Sequence, residues 1–510
     1  MTDAYVAATG DSRKPLNVMV IMVDQLRADV LSAYGGQICA TPAIDELADS
    51  GRVFERAYTS LAVCSPARAS LLTGQYPHNH GVLSNEGQLT QGTLKDSPSL
   101  LSRQLERLGY DRWYLGKWHL GGGDNLPIDC GLPGHQFPGH GEGGYDNSEY
   151  LSYLSSSGLK LSLDGPNPVG WHSYGTLSSG EETDISTFVT DDALAFLNRW
   201  SDGDGDDPFF MWVNYWGPHE PYYPAEEWLA QYDGVPIPPW PNYPDDGALR
   251  PRVHQLKVPP ESRDAGWSFW EPAVRHYFAF LSQIDAQIGR LLAWLEESGA
   301  GQDTLVIFVA DHGESLGAHG CQDKGHFMYE EIYRIPLIIR CPGLPTGRDD
   351  HLVSIVDLHP TVLQLASGEE SQPEKVDGRS LLDLLRGGPI HARTPPWRTT
   401  LGAEFHGLVT PYTQRMIVDQ RHKYVWNMGD LDELYDLDDD PYELSNLIND
   451  PASAALCERM RGHLLDWMHE TADAAGPYFE RHVVNCRRQL VLEQRPALNG
   501  DRKTAEPTVN

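Results

Sequence analysis

The chain has 510 residues and a formal charge of −33, from 39 basic and 72 acidic side chains. That length exceeds one ordinary core and calls for two or three domains. So acidic a balance excludes nucleic acid and anionic membrane as partners, which need a basic footprint, and confines any anion site to a local basic pocket.

Met1 to Leu16 is polar with no apolar signal core, and the first apolar run, Val18–Val23, is too short to cross a membrane. Seven scattered cysteines without C-x-x-C pairs fit neither a disulfide framework nor a zinc site. A cytoplasmic location is the expectation.

Val18–Val23 is continuously apolar and β-branched, the pattern of a strand buried on both faces, and it ends in Asp24-Gln25. Thr41-Pro42 opens a helix to about Asp49, stopped by Gly51. The stretch Val63 to Gly74 predicts a second helix, with Ser65 as N-cap, Pro66 in the first turn and Gly74 as the stop. Cys64 then sits at a helix N-terminus, where free N–H groups and the macrodipole favour negative charge. Arg68, one turn in, adds a cation able to fork onto an oxyanion. Ser97-Pro98 starts a helix over Leu100–Leu108, and the strand Arg112–Leu115 runs into Gly116-Lys117-Trp118-His119. Residues 121–180, rich in Gly, Pro, Ser and His, read as long loops around a site.

A helix near Thr183–Trp200 precedes the apolar strand Phe209–Tyr215, which leads to Gly217-Pro218-His219. Pro-rich residues 233–263 read as an excursion, and Ala273–Glu297 is the clearest amphipathic helix. Strand Thr304–Ala310 delivers Asp311-His312; Pro336–Arg340 is a further buried strand and Asp357–Leu365 a helix. The alternation predicts an α/β domain with a mostly parallel sheet covered by helices. Beyond about 390 the short runs Met416–Asp419, Lys423–Trp426 and Glu433–Leu437, then a helix over Ala452–Thr471, predict a smaller α+β subdomain. The domains are thus 1–390 and 391–510, with Asn499–Asn510 as a disordered tail. Phe479–Glu493 is a candidate interface arm should the chain form a homo-oligomer.

Four apolar strands end in residues fit for metal or anion chemistry: Asp24, Lys117 with His119, His219, and Asp311 with His312. The carboxyl ends of strands are where open α/β sheets bind ligands. One Asp there is usually a turn residue; four such endings beside the Cys64 helix point to one site. Asp24, Gln25, Asp311 and His312 make an oxygen-rich set with one imidazole, suited to one divalent cation. Gly313-Glu314-Ser315-Leu316-Gly317 spells G-x-S-x-G, yet Asp311-His312 already occupy the strand end, so a nucleophile elbow is rejected. His219-Glu220 lacks the second histidine of a zincin, and His78-Asn79-His80 reads as pocket wall. Trp216, Tyr222, Tyr223, His135, His140, Trp171 and His406 are candidate contacts to the organic part of a substrate.

The run Cys64-Ser65-Pro66-Ala67-Arg68, its small-apolar continuation and Thr73-Gly74 resemble the C-x-P-x-R signature of type I sulfatases, in the alkaline phosphatase superfamily. The likeness extends from Asn17 to Leu434-Tyr435-Asp436-Leu437 and Asp440-Pro441-Tyr442-Glu443. It implies an alkaline-phosphatase-like fold and a maturation enzyme that converts Cys64 to formylglycine. One hydroxyl of the hydrated aldehyde attacks sulfur and the other expels sulfate. It implies Asp24, Gln25, Asp311, His312 and the matured Cys64 as ligands of one divalent metal. Asp24-Gln25 and Asp311-His312 depart from the commoner acidic pattern and resemble the branch shared with phosphonate monoester hydrolases, which favours manganese over calcium. Arg68 belongs to the catalytic set by the same signature. Lys117, His119, His219 and Lys324 match sulfate-contacting and leaving-group positions, although Arg112 stands where a hydroxyl residue is usual. His119 would take the proton as the intermediate collapses, while His219 and Lys324 would serve the leaving oxygen. The implied substrate is a small-molecule or glycan sulfate monoester. The alternatives are phosphonate or phosphate ester hydrolysis, and a non-catalytic anion-binding relative in which Cys64 is never matured.

Overall fold

The computed structural model describes residues 15–485 apart from 86–91, 122–124, 137–144, 204–206, 246–248, 369–374 and 388–395. The 390/391 boundary, His140, the polar tail and residues 486–493 of the candidate arm lie outside the described residues. Strands β1 (Asn17–Asp24), β2 (Arg52–Phe54), β3 (Asp111–Gly116), β4 (Phe209–Pro218), β5 (Thr304–Ala310), β6 (Leu337–Arg340) and β7 (Gly347–Asp349) form one sheet. Their order is β7-β2-β6-β5-β1-β4-β3. The inner run β5-β1-β4-β3 is parallel throughout, and β6 is antiparallel to both its neighbours.

Every residue of β1, β4 and β5 is buried, as their apolar runs require. Helices α1 (Pro42–Ser50), α2 (Cys64–Thr73), α3 (Ile185–Asp202), α4 (Glu271–Glu297) and α5 (Leu358–Ser367) belong to this domain. The apolar stripe of α4 packs on β4, α1 and α3. All ten residues of α2 are buried, and Gly74 ends it in the left-handed conformation, at φ 68°. The helix begins at Cys64 rather than after Ser65, so Val63 occupies the cap position and Ser65 does not cap. The Ser65 N–H is satisfied instead by Asn85 Oδ1 at 3.0 Å.

Residues 121–180 are more ordered than their composition suggests. They hold a helix, Ser148–Ser157, capped by the Asn147 side chain, and a hairpin of Leu163–Val169 with His172–Leu177. The weak periodicity hid the hairpin because most of its first strand is exposed. Strands β8 (Leu401–Gly407), β9 (Pro411–Val418), β10 (His422–Asn427) and β11 (Glu433–Asp436) form an antiparallel meander, with α6 (Ala454–Glu470) packed on it. Tyr76 and Val356 join Ile417, Tyr424, Trp426, Leu464 and Trp467 in one apolar cluster, so this smaller layer shares core with the larger domain. Among the described residues no helix is long and apolar enough to cross a membrane, and six cysteines are free and buried.

Candidate active site

The parallel run turns four separate strand ends into one edge. From β5 to β3 these ends deliver Asp311-His312, Asp24-Gln25, His219 and Lys117-Trp118-His119 in spatial order. The N-terminus of α2 places Cys64 against them: its Sγ lies 3.3 Å from His312 Nε2, 3.6 Å from Lys117 Nζ and 3.8 Å from Asp24 Oδ1. Cys64 is fully buried. Burial opposes its ionisation, but Lys117, Lys324 and His312 outweigh that and hold the thiol well below its ordinary range.

Asp24, Cys64, Asp311 and His312 present ligand atoms within 4.8 Å of one another, all buried. The His312 Nδ1–H donates to the Gly313 carbonyl at 2.9 Å, which leaves Nε2 as the nitrogen able to ligate a metal. Asp311 Oδ1 accepts from the backbone N–H groups of Gln25 and His312 at 3.1 and 3.0 Å. Two buried carboxylates and an oriented imidazole fit one divalent cation of the manganese or calcium class. Burial and Cys64 push the Asp24 carboxyl up, but Lys117, His219 and Arg68 hold it below the usual carboxylate range. Asp311 is pushed up by burial and by Asp24.

Arg68 does not face outward to an oxyanion. Its guanidinium, wholly buried, donates to Asp24 Oδ2 at 2.7 Å, Asp311 Oδ2 at 3.1 Å, and the Lys117 carbonyl and Asn214 Oδ1 at 2.9 Å each. It clamps the two carboxylates, and helix α2 is what carries it there. Gln25 is likewise diverted. Its Nε2 donates to Glu314, its Oε1 accepts from Lys324 Nζ at 2.5 Å, and its backbone is left-handed at φ 60°. Its side chain therefore faces Lys324 and Glu314 in this structure.

Lys117 Nζ bridges Asp24 Oδ2, at 2.7 Å, and Cys64, and lies over the Trp216 ring at 4.4 Å from its centroid. His119, also left-handed at φ 53°, is pushed down to about 4 by burial and is neutral near pH 7. His219 donates through Nδ1 to the Glu220 carbonyl at 2.8 Å, so Nε2 accepts from Lys324 Nζ at 3.1 Å. Burial opposes the charge on Lys324, yet Cys64, Asp323, Asp24 and Glu314 raise its pKa above the ordinary lysine value. Lys117, His119 and Lys324 thus stand around residue 64, and His219 joins the site through Lys324.

Other candidates fall elsewhere. His135 accepts the Gly116 N–H, pairs with Asp192 at 2.7 Å and stacks on Phe188, so it braces a strand end. Tyr222 is fully buried packing. His78 and His406 hold Glu404 of β8 at 3.0 and 2.9 Å, and His80 lies 3.1 Å from Ser70, so the His78-Asn79-His80 turn fastens the smaller layer instead of walling a pocket. Ser315 donates to the Asp323 carbonyl at 2.5 Å, as no elbow nucleophile would. The reading of the sequence missed Asn214, Glu314 and Asp323. Asn214 was visible as the one polar residue in an apolar strand; the other two had no signal beyond their nearness to Lys324.

Residues 16–368 match the family described as Sulfatase, and residues 317–470 match the C-terminal region described as N-sulphoglucosamine sulphohydrolase, C-terminal. The chain is 33% identical over 473 residues to the uncharacterized sulfatase YidJ of Escherichia coli, covering 91% of this chain and 89% of that protein. It is 31% identical over 513 residues to the multifunctional alkaline phosphatase superfamily protein PehA of Trinickia caryophylli, covering 90% and 96%. Among solved structures, the phosphonate monoester hydrolase of Agrobacterium radiobacter aligns with a TM-score of 0.75 at 26% identity, covering 89% of this chain and 96% of that one. With a strand-end constellation of this composition and these matches along its length, the chain belongs to the sulfatase family of the alkaline phosphatase superfamily and is a sulfuric ester hydrolase.

Proposed function

We propose that this enzyme cleaves the S–O bond of an organic sulfate monoester with a formylglycine made from Cys64. The observation that carries the reading is the packing of Lys117, His119 and Lys324 around residue 64, beside a carboxylate–imidazole group. Asp24, Asp311, His312 and the matured residue 64 would hold one divalent cation, and Gln25 would join them by releasing Lys324. A cation held there would supply Lewis-acid polarisation of the sulfate group and would lower the pKa of a hydroxyl on residue 64.

The remaining work falls to this chain's own groups. Lys117, His119 and Lys324 supply donors to the three terminal sulfate oxygens. The attacking hydroxyl gives its proton to Asp311, whose carboxylate lies within 4.8 Å of the residue 64 side-chain atom; as its oxygen bonds to sulfur, the ester S–O bond breaks and the leaving oxygen takes a proton from Lys324, oriented by His219. His119, neutral near pH 7, then accepts the proton of the second hydroxyl as sulfate departs and the aldehyde re-forms.

Phosphonate monoester hydrolysis is the second reading, favoured by the Asp24-Gln25 and Asp311-His312 pairs. Charge does not separate the two esters, since each carries one negative charge; shape does. Sulfate offers three terminal oxygens to three donors, whereas a phosphonate sets carbon against one donor, at a cost of about 1–3 kcal/mol. Kinetics on a matched sulfate and phosphonate with one leaving group should therefore favour the sulfate by about tenfold or more. The same preparation should show an aldehyde at residue 64 by intact-peptide mass. A preference for the phosphonate promotes the second reading, and full activity with unmodified Cys64 ends the formylglycine mechanism.

A further inference from the structure

The Pro-rich excursion closes a cavity of about 530 Å³, and none of the active-site residues described above lines it. Trp240 and Ile237 from that excursion join Tyr34 and, from α4, Phe278 as its apolar walls. The same walls hold the loop that runs from Glu314 to Lys324. Arg27 Nη1 donates to the carbonyls of Glu314 and Ser315 at 3.3 and 2.8 Å, and Trp240 Nε1 donates to that of Leu316 at 2.8 Å. A volume of this size with a few polar groups in an apolar wall is that of a small-molecule site.

Most charges around the cavity are matched. Arg27 forks through Nε and Nη2 onto Asp29 at 2.9 and 2.7 Å. Arg334 and Lys423 reach Glu330 at 3.4 and 2.9 Å. Glu331, which also lines the cavity and is 9% exposed, is the exception. Among the described residues no lysine or arginine pairs with it, and its one hydrogen bond is a long one, from Asn242 Nδ2 at 3.4 Å. The imidazole beside it, His319 Nε2 at 3.7 Å, is pushed down to about 3 by burial and brings no charge. Asn242 lines the cavity too; it is 3% exposed, and its Oδ1 is buried with no hydrogen-bond partner among the described residues. A buried carboxylate and a buried amide oxygen thus adjoin one cavity with too few donors, an arrangement that costs the fold stability until a donor arrives.

We propose that this cavity is a second ligand site, separate from the sulfate pocket, and that it takes a small organic primary ammonium. The –NH3+ group donates to Glu331 and to Asn242 Oδ1, and the apolar stem packs against Trp240 and Phe278. A primary ammonium brings one positive charge and three N–H donors, which answers an unmatched carboxylate and an orphan carbonyl oxygen together. Other classes fit less well. An anion would meet Glu331 unscreened. A neutral alcohol offers one donor and leaves the charge unmatched. A divalent metal needs several oxygens converging on a point, and Asp29, Glu330 and Glu331 form no such group. The site does not depend on the sulfatase reading, since it shares no residue with it.

Calorimetric titration of the full chain at pH 7.5 with four compounds of one shape tests this: 2-phenylethylamine, 2-phenylethanol, the N-trimethylated amine and 3-phenylpropionate. The primary amine should bind about tenfold or more tighter than the alcohol and than the trimethylated cation, which has the charge but no N–H donor, and the carboxylate should not bind. Glu331→Gln, which keeps the shape and removes the charge, should bring amine and alcohol within about threefold of each other. Asn242→Leu should weaken the amine about threefold or more and leave the alcohol unchanged. Absence of amine binding, or the alcohol or trimethylated cation binding within threefold of the amine, overturns the site on the wild-type protein alone. An amine preference that survives in folded Glu331→Gln or Asn242→Leu shows that the amine binds elsewhere and overturns it equally.

Discussion

In the mechanism proposed above, Arg68 matters to catalysis without touching substrate. Its planar guanidinium spans Asp24 and Asp311 at once, and Asn214 and the Lys117 carbonyl fix the opposite edge. A lysine has one nitrogen and cannot bridge two carboxylates while filling the same slot. Arg68→Lys should therefore lower metal content and kcat together by about 10–100-fold, the usual cost of losing a partner that orients metal ligands. Elemental analysis of the purified variant alongside its kinetics checks this; full metal content with reduced kcat would place Arg68 in the chemistry instead. The residue was legible as part of a motif. Its direction was not, because nothing in C-x-P-x-R reveals that two carboxylates from β1 and β5 lie beneath the helix. Gln25 teaches the same lesson: type and position were readable, whereas its engagement by Lys324 and Glu314 depends on a loop some 290 residues away.

At the level of elements, the strand ends are set by close backbone approach. Gly116 closes β3 with φ 89°, and a Cβ there would lie inside contact distance of the Asn214 carbonyl oxygen on β4. That carbonyl accepts the Lys117 N–H at 3.2 Å, so the same pinch aims Lys117. Gly116→Ala should cost about 2–4 kcal/mol through left-handed strain and overpacking. It should also reduce kcat about tenfold by displacing Lys117. A lower Tm in thermal unfolding with unchanged kcat would uncouple the pinch from the site. The inner strands were legible because being covered on both faces writes an unbroken apolar run. The hairpin and β8 were not: the first is mostly solvent-facing, and the second, Leu401-Gly402-Ala403-Glu404-Phe405-His406-Gly407, buries Glu404 where the alternation would place a solvent-facing residue.

Across the whole molecule, buried neutral histidines govern acid sensitivity. His359 on α5 is pushed down to about 4 by burial; its Nε2–H donates to the Ser99 carbonyl at 3.1 Å and its Nδ1 is buried with no hydrogen-bond partner among the described residues. His80 and His319 go down to about 3 and His326 to about 4 for the same leading reason. Between the unfolded value near 6.5 and these folded values the unfolded chain binds protons that the fold refuses, so stability falls as pH drops from about 6.5 towards 4. For His359 alone the loss at pH 4.5 is about 2–3 kcal/mol. His359→Gln should be less stable than wild type at pH 7.5, with the gap closing by pH 4.5; a pH-independent gap in Tm would show that His359 does not titrate there.

The complete burial of Cys64 within a helix enclosed on every side bears on when the enzyme is made competent. Under the formylglycine mechanism proposed above, a modifying enzyme has to grip the peptide around residue 64, yet in the finished protein that peptide is buried. Strand β5, which seals the site with Asp311 and His312, is synthesised some 240 residues after Cys64. In that mechanism oxidation and folding would compete in time, and the window would close as the ribosome delivers β5. Protein folded with its cysteine intact should stay inactive when the maturation enzyme is added afterwards, and should gain activity only if unfolded, treated and refolded. Activity would then be a record of each chain's biosynthetic history, fixed before the molecule first meets a substrate.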